Sequence, residues 1–160
     1  MRAQSPQKQL DGFLGKFSPE IAALARAAIA KMRRILPNAI LMVYDNYNAL
    51  VIGFVPNERP SDAVLSIALY PKWVTLFFLQ GVGIPDPDRL LNGNGKQVRY
   101  LRLPDADALD SPEIRSLIDT ALRRARVPFD PDIEGRLIIR SVCATQRPRR
   151  PAAKRGRAKR

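Results

Sequence analysis

The residues best suited to chemistry lie just past the middle of the chain, where Asn92-Gly93-Asn94-Gly95-Lys96 is followed by Arg99. Glycine and asparagine tolerate positive φ, so successive backbone N–H groups can line a concave anion nest. Lys96 and Arg99 add positive charge, and an arginine can grip a carboxylate or phosphate through two parallel hydrogen bonds. Gly93, Asn94, Gly95, Lys96 and Arg99 are therefore the candidate ligand-binding residues. The spacing is not that of a Walker loop, and no Ser or Thr follows Lys96. A tight turn before a strand would need the same glycines, and that is the competing reading.

The residue types that are missing narrow the chemistry. The chain has no histidine and one cysteine, Cys143. Ser–His–Asp and Cys–His catalysis are excluded in their usual forms, as are zinc sites built from Cys and His. Cys143 reads as a small apolar residue. Any metal would have to be held by carboxylates and carbonyls, which suit hard cations or iron. The densest acids, Asp105, Asp107 and Asp110, lack the glycine and distal glutamate of a calcium loop. They read as a solvated loop whose charges favour the helix start that follows. Asp86 and Asp88 read as turn formers. The chain is thus expected to be non-enzymatic, with no cofactor and no metal site.

The net charge of +12 is uneven, because eight basic residues and no acid lie between Arg147 and Arg160. The rest of the chain is only mildly basic, so the high pI says little about the ligand of the folded part. Arg155-Gly156-Arg157 resembles the core of an AT-hook, in which glycine lets two arginines lie along a narrow minor groove. Lys154, Arg155, Gly156 and Arg157 are the candidate nucleic-acid contacts, and eight cations would hold polyanions weakly without any hook. No apolar run approaches the ~20 residues that span a bilayer. The first residues lead into no long apolar stretch, so no secretory leader and a cytoplasmic location are expected.

The elements that must position these groups follow from periodicity. Ser18-Pro19-Glu20-Ile21 opens a helix, with a cap at Ser18 and a first-turn proline. An apolar stripe from Ile21 through Ala25, Ala28, Ile29 and Met32 carries it to Leu36, where Pro37 stops it. The same Ser-Pro-Glu-Ile signature at Ser111 opens a second helix, closed by Arg123, Arg124 and Arg126. Between them, 39–44, 49–55, 63–69, 73–79 and 97–103 read as strands. Their connections are too short for crossover helices, which predicts an antiparallel meander. Leu137-Ile138-Ile139 is a sixth, short candidate. Tyr44, Tyr47, Trp73, Phe77, Phe78 and Tyr100 are expected in the core, with a pocket wall or dimer surface as the alternative. Helices segregated from such a sheet make an α+β two-layer sandwich, an antiparallel sheet of five to six strands packed by an N-terminal and a C-terminal helix. The expected organisation is a polar arm at 1–14, an α+β domain at 15–128, an extension at 129–146 and a disordered basic tail at 147–160.

This layout resembles the YdhG-like family of small bacterial domains of unknown function. Asp86-Pro87-Asp88-Arg89-Leu90-Leu91 running into Gly93-Asn94-Gly95-Lys96 and Arg99 carries the likeness, with the helix ending in Leu36-Pro37 and the strand pair around Lys72. It covers roughly residues 17–126. The resemblance implies a compact α/β domain in a bacterial cytoplasm, and through a frataxin-like branch it implies iron handling. The first predicted helix has Glu20 as its only acid, and the strand pair reads Tyr70-Pro71-Lys72-Trp73 where the family often has histidine. The leading expectation is a binding module for a small anionic ligand or a protein partner. Nucleic-acid contact through the tail and an iron chaperone are the alternatives. Oligomeric state is not legible.

Overall fold

The computed structural model describes residues 4–152. Three helices each begin at a Ser-Pro pair. They are α1 (Pro6–Leu14), α2 (Pro19–Ile35) and α3 (Pro112–Arg123). The caps Ser5, Ser18 and Ser111 each accept a hydrogen bond from the N–H three residues on, which satisfies a donor that the first turn leaves free. Six strands follow the expected runs: β1 (Ile40–Asp45), β2 (Leu50–Val55), β3 (Leu65–Leu69), β4 (Val74–Phe78), β5 (Arg99–Leu103) and β6 (Arg136–Val142).

The spatial order is β5-β4-β3-β2-β1-β6. The first five strands are the expected antiparallel meander. β6 corrects the all-antiparallel expectation, because it lies parallel to β1 and makes the sheet mixed. The chain leaves β5 at one edge, passes through α3 in the helix layer and returns to the opposite edge, a crossover long enough to bring β6 in parallel. At Gly135, just before β6, the backbone closes on the carbonyls of Pro37 and Ala39, where a Cβ would collide. The two-layer α+β architecture stands.

Side chains of a strand alternate between faces. Leu41 and Val43, Ile52 and Phe54, Leu65 and Ile67, Leu76 and Phe78, and Leu101 and Leu103 all face the helices, in one core with Phe17, Ala25, Met32, Leu117 and Ile118. The second face bears no helix among the described residues. Its apolar cluster is small: Ile40, Met42 and Val55, with Tyr44, Ala63 and Ile138 against them.

Two of the expected boundaries move. Residues 6–14, expected within a polar arm, form α1, whose Leu10 and Leu14 are buried in the main core. Residues 147–150, expected in a disordered tail, are placed against the fold. The Arg147 amide donates to the Tyr47 carbonyl at 2.9 Å, and Arg150 Nε donates to the Lys16 carbonyl at 3.2 Å. Two cations of α2 are paired as well: Arg26 with Asp11 of α1, and Lys31 with Asp107 and Asp110.

Candidate functional site

The β4–β5 connection holds Gly93, Asn94, Gly95 and Lys96 of the expected ligand site, Arg99 opens β5, and the shape of the loop is set largely from within. The Asp86 carboxylate accepts from the Leu90 and Leu91 amides at 2.9 and 2.8 Å, which is the turn-forming role expected of it. Asn92 and Tyr100 exchange backbone hydrogen bonds in both directions, at 2.7 and 3.0 Å. Gly93 has φ of 114° and lies against Arg99 and Tyr100. Gly93 is the only residue of the Gly93-Asn94-Gly95 triplet with positive φ. The Arg99 guanidinium donates to the carbonyls of Gly95 and Val98 at 2.7 and 2.8 Å. Arg99 therefore closes the loop on itself, and its Nη1 is directed at loop carbonyls rather than outward.

Lys96 points elsewhere. It lines a cleft of about 530 Å³ with Gln80, Gln97, Ser61, Arg124 and Arg126. Arg124 donates to the Val82 carbonyl at 3.3 Å and lies beside Gly83, whose φ is 84°. Arg124 caps α3 and Arg126 follows just beyond it, where the negative end of the helix dipole favours cations. Asp62 is the one acid on the cleft wall, and it is engaged by the Asn57 side-chain amide at 2.9 Å. Of the five predicted site residues, the fold thus brings Lys96 alone to this cleft. It adds Arg124 and Arg126, which read in sequence only as a helix ending.

A second polar centre was not visible in sequence. Asp45, the last residue of β1, has a fully buried carboxylate, paired with Arg149 at 2.9 Å and with Lys16 Nζ at 2.8 Å. Burial pushes this carboxyl up, but hydrogen bonds from Lys16, Gln146 and Arg149 outweigh it and hold the group below its ordinary value. Arg149 also donates to the Asn46 carbonyl and lies over the Phe17 ring at 5.6 Å. This centre joins the C-terminal segment to β1 and to the α1–α2 turn. Its geometry is that of a clamp on the C-terminal segment.

Asp105 accepts from the Ala108 amide at 2.9 Å and starts the short 3₁₀ turn at Ala106–Asp110. Lys31 holds Asp110 below the ordinary carboxylate range. Among the described residues, no three acids or cysteines gather as a metal would require. Cys143 is exposed, not tucked away as a small apolar residue. Of the aromatic residues, Phe78 is buried under the helices, Tyr47 is exposed at the β1–β2 turn, and Tyr44, Trp73, Phe77 and Tyr100 are half-buried on the helix-free face. Lys154, Arg155, Gly156 and Arg157 lie outside the described residues. No described helix is long and apolar enough to cross a membrane. Comparison with protein-family models, with curated proteins and with solved structures finds no match to this chain.

Proposed function

We propose that this chain is a non-enzymatic binding module of the YdhG-like kind, acting in the bacterial cytoplasm on a small anionic ligand held in the cleft beside the β4–β5 loop. The observation that carries this reading is the convergence of Lys96, Arg124 and Arg126, from two separate segments, on one cleft with a single and already engaged carboxylate. Three cations attract a carboxylate or phosphate, and Ser61, Gln80 and Gln97 supply hydrogen bonds that orient it. Arg99 serves the site indirectly, by fixing the loop that carries Lys96. The test is a thermal shift screen with inorganic phosphate, sulfate and citrate against the full chain. Saturation at about 100 Kd stabilises by about 2.7 kcal/mol, which for a chain of this size raises Tm by about 5–10 °C. Lys96→Ala and Arg126→Ala each weaken the response about tenfold without lowering the unliganded Tm, since a charge-assisted hydrogen bond contributes roughly 1.5 kcal/mol or more. A full response from the Lys96→Ala/Arg124→Ala/Arg126→Ala variant, or none from the native chain, overturns the reading.

A further inference from the structure

The helix-free face of the sheet has a composition that a merely solvated face does not need. Phe77 and Tyr100 sit directly opposite one another on β4 and β5, with ring centroids 5.6 Å apart. Two residues along, the guanidinium of the exposed Arg102 lies over Trp73, 3.9 Å from its ring centroid. Tyr70 packs against Trp73 at 5.8 Å. Thr75 fills the row between Phe77 and Trp73, and beside it the floor is low, made of buried Ser66, Ala68 and Gly53. The charge is one-sided. The six strands contain one acid, Asp45, which faces the helix layer and is already paired. Arg102 pairs with no described carboxylate.

We propose that this face is a platform for single-stranded nucleic acid, on which bases stack against Phe77, Tyr100 and the Arg102–Trp73 pair while the phosphates meet Arg102 and Arg147. Unpaired bases are held by open sheets in this way, on half-exposed aromatic rings and on guanidinium planes. From Phe77 to Trp73 the row is about 13 Å long at ~3.3 Å per residue, room for the two or three bases that such sheets take. The row ends at a hollow of about 640 Å³ lined by Asn48, Tyr70, Trp73, Arg147 and Pro148, which puts a cation where the backbone would leave the sheet. An apolar occupant such as a partner helix or a second copy fits worse, because it would strand the Arg102 guanidinium without water or a counter-charge. None of these residues lines the anion cleft, so the two sites stand or fall separately.

Trp73 is the only tryptophan, so its emission reports directly on the platform. The full chain is titrated with an oligothymidylate of about ten nucleotides, its ribo counterpart and a duplex of equal length, at several salt concentrations. The single strands quench Trp73 saturably and bind about tenfold or more tighter than the duplex. Phe77→Ala and Tyr100→Ala weaken binding about fivefold to a hundredfold. Arg102→Gln lowers the salt slope by about one. Tyr100→Leu, which keeps an apolar side chain on the sheet and removes the ring, gives the same loss if the alanine variant folds poorly. The triple variant Lys154→Gln/Arg155→Gln/Arg157→Gln weakens all three ligands alike and leaves the quenching and the preference in place. The proposal is overturned if Trp73 is not quenched below about 100 µM strand, if duplex binds equally well, if the tail variant alone abolishes quenching, or if sedimentation shows a dimer that oligonucleotide does not dissociate.

Discussion

Replacing Arg149 by alanine tests the clamp at the end of β1. The Arg149 side chain is 4% exposed and that of Asp45 is 0% exposed, with 2.9 Å between them. Removing one partner of such a pair costs about 3–5 kcal/mol, because the other charge stays buried without compensation. Here Lys16 remains 2.8 Å from the second carboxylate oxygen, so the lower end applies, about 3 kcal/mol. At about 2–4 °C per kcal/mol for a chain of this length, Tm falls by about 6–12 °C. The loss has a pH signature. Asp45 has a depressed carboxyl pKa in the folded protein, so its contribution is complete above the unfolded value of about 3.9. It is lost as pH falls through the lower, folded value. The gap in Tm between native protein and variant should therefore be constant near neutrality and narrow below about pH 4. Calorimetry of the native chain, Arg149→Ala, Asp45→Asn and the double variant measures both the size and the coupling. A drop in Tm under about 2 °C, or a gap unchanged down to about pH 2.5, would show that the C-terminal segment is not held by this pair.

Three further outcomes are expected. Gly93→Ala forces a left-handed backbone on an L-residue and loses about 1–2 kcal/mol, whereas Gly95→Ala meets no atom within 4 Å and changes stability by about 0.5 kcal/mol or less; urea unfolding of the two variants separates a turn glycine from a permissive one. Ser5→Ala, Ser18→Ala and Ser111→Ala each cost about 1 kcal/mol in thermal unfolding through the lost helix cap; no effect of Ser5→Ala would mean that α1 does not depend on its cap. Phe54→Ala, at a fully buried position between sheet and helices, costs about 3–5 kcal/mol, and a smaller loss by denaturant titration would mean that the core collapses around the gap.

The elements that local physics controls were legible before the tertiary structure. Each strand run matched its strand to within two residues at either end, apart from the short sixth run, because alternation and turn chemistry are written in neighbouring residues. The Ser-Pro start is legible at Ser18 and Ser111, and the same pair at Ser5-Pro6 opens α1 inside the expected polar arm. Its helix has only Leu10 and Leu14 fully buried, too sparse a stripe to stand out in nine residues. The parallel placement of β6 had no local signature, since the direction of a strand depends on where the crossover lands.

The candidate sites divide along the same line. Composition and local pattern establish that the chain has no histidine, that a glycine-rich basic loop precedes β5, and that two helices accompany a meander of five strands. Where those residues point depends on the folded chain. Arg99 turned inward because two loop carbonyls lay within its reach, and Lys96 turned toward Arg124 and Arg126 because α3 ends beside the loop. Arg149, one of a run of tail cations in sequence, became a buried partner because the chain end passes the one strand carboxylate. Tyr44, Trp73, Phe77 and Tyr100 lie outside the core because β1, β4 and β5 fix which face each side chain takes, and the helices cover only one face. Spacing along a chain sets the type and face of an element, but convergence of distant residues depends on topology, which no local pattern carries.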